Sequence, residues 1–183
     1  YYNATNAVVE LQDKRVVGGG YMSNGQSTDF ALYLLKRDGK HETGMGNNGV
    51  VTTSLGSLND YANDMLEQAD GKLVLAGTTF TGQFSRKIAL VRYNPNGTLD
   101  SAFGQGGIVT TTVNGQIADD ANAITQQVDG KLAVVGASYN WLAIVRYNLN
   151  GSLDTSFAGS GYRRIQMLDA YGFSTPGMGH DVI

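Results

Sequence analysis

The 183-residue sequence contains no cysteine. That excludes disulfide frameworks, cysteine-ligated zinc, iron–sulfur clusters and cysteine nucleophiles. Histidine is scarce too: His41 and His180 are the only two, which leaves little for a histidine-based metal site. Proline occurs twice, and charged residues make up 16 % of the chain, against about 25 % in ordinary domains. Thirteen Lys and Arg against sixteen Asp and Glu give a formal net charge of −3. No basic footprint therefore points to nucleic acid or to an anionic membrane. A run of about 18 apolar residues, which a spanning helix would need, is also missing. Glycine, by contrast, is abundant at 25 residues, roughly twice its usual share. Rich in glycine and poor in proline, the composition suits tight β-turns more than long helices.

The sequence begins at Tyr1 without a Met, shows no charged and apolar leader, and stops at Asp181-Val182-Ile183. It reads as a piece cut from something longer.

A fixed internal period, which changes the whole expectation of fold, runs through the sequence. NAVVELQDKRVVGGG (Asn6 to Gly20) aligns with NDMLEQADGKLVLAG (Asn63 to Gly77) and with NAITQQVDGKLAVVG (Asn122 to Gly136), at spacings of 57 and 59 residues. A second block, FALYLLKRDGK from Phe30, matches IALVRYNPNGT from Ile88 and LAIVRYNLNGS from Leu142. The segments GMGNNGVVTT, LDSAFGQGGIVTT and LDTSFAGSGYRRI follow in the same order. One repeat domain over 1–183 results, with repeats at 3–58, 60–117 and 119–168, an exit segment at 169–183 and a fourth repeat starting at Asp181. Only the loop between the two blocks varies in length, which marks a surface connection.

Each repeat reads as four short strands. In the second copy these are 62–69, then Lys72 to Thr79 after an Asp70-Gly71 hairpin turn, then 87–94, then Gly107 to Val113 after Asn94-Pro95-Asn96-Gly97. Leu73-Val74-Leu75-Ala76, Ile88-Ala89-Leu90-Val91, Leu132-Ala133-Val134-Val135 and Leu142-Ala143-Ile144-Val145 are apolar at every position, so both faces of those strands should be covered. Stacked blades of an all-β, β-propeller-like fold do this. The alternative, a β-trefoil or β-prism, closes with three repeats but should show strands that alternate in and out. About three blades are fewer than a propeller needs, so the chain is expected to self-associate or to continue into further repeats of a longer parent.

DGKLVLAG, IALVRYNPNGTLDSAFGQGGIVTT, DGKLAVVG and LAIVRYNLNGSLDTSFAGSG together resemble the delta-sixty repeat, a propeller-like tandem repeat of long surface proteins of deltaproteobacteria. The resemblance is strong over 60–161 and weak over 3–53. It implies an extracellular or cell-surface tandem-repeat propeller with no assigned enzymatic activity. The first copy departs from the pattern, with Asp13-Lys14-Arg15 for Asp-Gly-Lys, Leu34-Leu35 for Arg-Tyr, and His41-Glu42 through Met45 for Leu-Asp-x-x-Phe. Residues 162–183 depart too.

Candidate residues fall into two sets. Arg92 and Arg146 each lie eight residues before Asp100 and Asp154, and their repetition reads as a structural ion pair; Phe103 and Phe157 read as anchors of the same loops. Tyr21, Phe80, Phe84, Tyr139 and Trp141 fall in or beside the variable loops, where they either pack between blades or stack on sugar rings. Asp60, Asp119 and Asp120 precede the first strands, as solvated loop acids or as part of a cation or sugar-hydroxyl site on one rim. The Asn-rich turns lack the spacing of a calcium loop, which leaves calcium as the only cofactor to consider and a metal site unassigned. Gly172-Phe173-Ser174-Thr175-Pro176-Gly177 falls short of a nucleophile elbow, and His180 near it makes no triad.

The expectation is a non-enzymatic scaffold that binds a glycan or a surface protein by multivalent display. The alternatives are a structural subunit of a fibre or cell-surface assembly, and a lectin-like trefoil.

Overall fold

The computed structural model describes residues 2–168 and 174–175. Three four-stranded antiparallel sheets follow one another along the chain, each with its strands in chain order. The first blade holds β1 (Ala4–Glu10), β2 (Val16–Ser23), β3 (Thr28–Leu35) and β4 (Val50–Thr53). The second holds β5 (Asp60–Glu67), β6 (Leu73–Phe80), β7 (Arg86–Tyr93) and β8 (Ile108–Thr111), and the third β9 (Asp119–Gln126), β10 (Leu132–Ser138), β11 (Trp141–Tyr147) and β12 (Tyr162–Ile165). A separate pair, β13 (Met167–Leu168) and β14 (Ser174–Thr175), comes last. In the second blade the first strand starts two residues earlier than the sequence suggests, and the fourth is shorter, ending at Thr111.

The hairpin turns are where backbone chemistry is most demanding. Gly71 and Gly130 take φ of +78° and +84°. At the matching position of the first copy Lys14 holds φ of +72°, so the departure from Asp-Gly-Lys keeps the turn while accepting the left-handed strain, about 1–2 kcal/mol, that glycine avoids.

The continuous apolar runs are explained by stacking. Leu73 and Leu75 of β6, with Ala89, Val91 and Tyr93 of β7, pack back on Val17, Phe30, Leu32 and Leu34 of the first blade. Their neighbours Val74, Ala76, Ile88 and Leu90 point the other way, onto Ile124, Leu132, Val134 and Val145 of the third. The middle sheet is thereby buried on both faces. β5 lies against β1, β2 and β3, and β9 against β5, β6 and β7, so the first strands of the blades adjoin one another. This is the stacking of propeller blades, not the closed barrel of a trefoil.

Two seams join the blades, and they share their chemistry. The Tyr93 hydroxyl donates to Thr53 Oγ1 at 2.7 Å, and the Tyr147 hydroxyl to Thr111 Oγ1 at 2.8 Å. Burial pushes both phenols well above the ordinary tyrosine range. A turn glycine plugs each seam: Gly97 lies against Met45 and Gly151 against Phe103, with no room for a Cβ. At the second seam Arg92 binds Asp100 through Nε at 2.8 Å, stacks over Phe103 at 4.4 Å, and donates through Nη1 to the Leu149 carbonyl at 2.6 Å. The guanidinium therefore satisfies a carboxylate of its own blade and a backbone acceptor of the next, a burial of charge that only full pairing permits.

Candidate binding site

The inner strands share one local device. Each is interrupted by a bulge at the same repeat position, Asn6, Asn63 and Asn122. Opposite each bulge stands a glycine, and a Cβ on Gly20, Gly77 or Gly136 would collide with the backbone carbonyl of Ala4, Tyr61 or Asp120. Only glycine lets the strands approach so closely. The bulge turns the asparagine toward the neighbouring blade: Asn6 Nδ2 donates to the Ala62 carbonyl at 2.8 Å, and Asn63 Nδ2 to the Ala121 carbonyl at 2.7 Å. Asp64 Oδ2 accepts the Ile124 N–H at 2.8 Å and ties the same two strands again.

These asparagines form part of an open recess of about 380 Å³, at the end of the blades opposite the Asp-Gly turns. Tyr21, Tyr61 and Phe80 line it as an edge-to-face series, with ring centroids 4.8 Å apart from Tyr21 to Tyr61 and 5.9 Å from Tyr61 to Phe80. Such a series fixes the rings while leaving apolar surface at the recess. Arg86 and Asp120 complete the lining, bonded through Nε and Oδ1 at 2.6 Å; Thr78 Oγ1 donates to the same oxygen at 3.2 Å. The bond that Asp120 accepts raises the Arg86 pKa, against the opposing effect of burial. Among the described residues no hydrogen bond engages the second amide proton or the oxygen of Asn6 and Asn63, the Arg86 Nη groups or Asp120 Oδ2. Rings beside amide, guanidinium and carboxylate groups suit a polyhydroxylated molecule, whose C–H face stacks and whose hydroxyls both donate and accept.

The recess gathers Tyr21, Phe80 and Asp120 from the candidate residues and leaves the others elsewhere. Phe84 and Tyr139 are exposed, and Trp141 is half-buried under the Arg164 guanidinium at 4.8 Å. Asp60 and Asp119 are not solvated loop acids: both are fully buried. Asp60 Oδ2 accepts the Leu55 N–H and Asp119 Oδ2 the Val113 N–H, each at 2.8 Å, so each locks the connector entering its own blade. Burial raises the pKa of both. Arg146 binds Asp154 at 2.6 Å and stacks over Phe157 at 4.8 Å, as Arg92 does in the second blade. In the Asn-rich turns Asn96 Oδ1 accepts from the Thr98 N–H and hydroxyl, and Asn150 Oδ1 from those of Ser152, so these oxygens serve the turn itself. His180 and the fourth-repeat start at Asp181 lie outside the described residues.

Tyr61, Thr78, Arg86, Asn6 and Asn63 are the lining residues that sequence reasoning missed. Tyr61 aligns with Ala4 and Asp120 through their partners Thr78, Tyr21 and Ala137, so no repetition marks it. Among the described residues these aligned positions therefore differ from blade to blade, while Asn6, Asn63 and Asn122 recur beside them.

Among known proteins, a solved structure titled as a GH43_1 enzyme from Xanthomonas citri is similar at 11 % identity, with a TM-score of 0.45. That match covers 97 % of this chain, which spans 59 % of the length of the other. No curated protein matches the sequence. Residues 68–103 and 127–157 match the family model described as a domain of unknown function (DUF5122) beta-propeller. With three meander sheets stacked face to face and that model falling on the second and third of them, the chain is a propeller-type repeat protein.

Proposed function

We propose that this chain is a non-enzymatic, extracellular or cell-surface propeller module that binds a glycan in the recess between its inner strands. The observation that carries the reading is the convergence of Tyr21, Tyr61 and Phe80 with Asn6, Asn63, Arg86 and Asp120 in one open recess. The non-enzymatic part is supported by the state of the nearby acids: Asp120 is bound to Arg86, and Asp60 and Asp119 face into connectors. Surface location is supported by the resemblance of the repeats to those of surface proteins. A glycan array probed with the 183-residue chain, and then with Tyr61→Ala and Phe80→Ala, tests it. Binding to a defined set of glycans that both substitutions abolish is expected. Failure to bind any glycan, or binding indifferent to both substitutions, overturns the reading.

A second reading, a structural subunit of a cell-surface assembly, is favoured by the apolar side chains that the two end blades expose, among them Val8 and Ile165.

A further inference from the structure

Both internal seams are built from matched halves, and the two outer blades carry halves with no match among the described residues. Leu35 occupies the place of Tyr93 and Tyr147, pairing with Val16 as they pair with Leu73 and Leu132. Ile165 occupies the place of Thr53 and Thr111, pairing with Leu142 as they pair with Phe30 and Ile88. The hydroxyl pair of the seams is thus missing one half at each end of the stack, and an aliphatic side chain stands in both places. Ile165 is 40 % exposed, and Leu35 is half-buried.

The plug is divided in the same way. Gly39, at φ +80°, holds the conformation of Gly97 at +82° and Gly151 at +84°. Met45 and Phe103 crowd the latter two, whereas nothing lies within 4 Å of the Cβ position of Gly39. On the third blade Arg146, Asp154 and Phe157 repeat the socket of Arg92, Asp100 and Phe103. There the guanidinium turns its Nη2 to Ser156 Oγ at 3.2 Å, where Arg92 reaches the carbonyl of a following blade. Among the described residues no four-stranded sheet follows the third blade.

We propose that a second copy of this chain docks head to tail on the third blade, with the Gly39 turn of one copy seated on Arg146 and Phe157 of the other and Leu35 against Ile165. An ordinary repeat would bring a tyrosine hydroxyl against Ile165 and bury it without an acceptor, which is costly; the first blade alone brings an aliphatic side chain. The contact is heterologous, so it closes into a ring when the rotation between copies allows. The three described blades of two copies together fall within the range of about four to eight that propellers use. Arg163, in place of Val51 and Val109, would face the turn holding Asp38 between Arg37 and Lys40, so charge neither drives nor bars the contact.

Light scattering of the full 183-residue chain across a range of protein concentrations tests this. An assembly of two chains is expected. Leu35→Tyr and Ile165→Thr are each expected to weaken it roughly tenfold or more by leaving a hydroxyl unmatched. The double variant is expected to recover, because the new tyrosine meets the new threonine. Circular dichroism of the single variants separates loss of contact from loss of fold. A single-chain mass at every concentration overturns the proposal, and so does an assembly that ignores both substitutions or a double variant no stronger than the singles.

Discussion

The two ends of the blades follow opposite rules. At the end of the Asp-Gly and Asn-x-Asn-Gly turns the second and third blades are near copies, residue for residue: Arg92 and Arg146, Asp100 and Asp154, Phe103 and Phe157, Gly97 and Gly151. At the recess end the aligned positions hold Ala4, Tyr61 and Asp120, or Tyr21, Thr78 and Ala137, and no two blades agree. Seams impose the same steric and hydrogen-bonding demands wherever two blades meet, so they force repetition. The recess, lined from three different blades, repeats only its asparagines Asn6 and Asn63, which also bond the neighbouring blade.

Truncating the repeated end should cost most. Phe103→Ala empties a fully buried position between Arg92 and Gly151, and a loss of about 3–5 kcal/mol in denaturant unfolding is expected. Phe157→Ala, at the same repeat position but half-buried, should cost less than about half of that when measured at low protein concentration; equal losses would mean that the two sockets do not differ. Next comes Tyr147→Phe, which leaves the buried Thr111 hydroxyl without its donor and should cost about 1–2 kcal/mol by the same measurement.

At the variable end, Tyr61→Ala should change stability by less than about 1.5 kcal/mol, since Tyr61 is only half-buried, while glycan affinity falls at least about tenfold. A melting temperature that collapses with the affinity would make Tyr61 a packing residue and erase the contrast between the two ends. The smallest effect concerns pH. The raised pKa of Asp119 means that the folded state holds its proton more tightly than the unfolded chain does. Stability therefore falls as pH rises from the unfolded value through the folded one, and the ionised carboxyl is a cost at neutral pH. Asp119→Asn keeps an oxygen for the Val113 N–H, so at pH 7 the variant should be at least as stable as the parent, with the difference shrinking toward pH 4. Parallel denaturation at the two pH values decides it.

The same division explains what was legible in the sequence. The blade period, the turns and the two-faced strands could be read because each seam writes them again, and Arg92 with Asp100 and Phe103 stood out for that reason. Asn6 and Gly20 are the first and last residues of the aligned block, as are Asn63 with Gly77 and Asn122 with Gly136. Their recurrence was visible, but not the bulge that joins each pair, since that depends on a carbonyl approaching a missing Cβ. Asp60 and Asp119 read as solvated acids because a carboxylate locking a connector differs from a free one only in what surrounds it. Tyr61 and Arg86 carried no signal, as neither repeats and neither sits at a loop tip.

The outermost strands, Val50–Thr53, Ile108–Thr111 and Tyr162–Ile165, are only four residues long. An unpaired strand border is a template on which other chains can add in register, and its hazard grows with its length. Borders this short, two of them ending in consecutive threonines, offer a stray strand few backbone groups to grip. Sideways growth into amyloid-like ribbons is thereby disfavoured along all three of these borders.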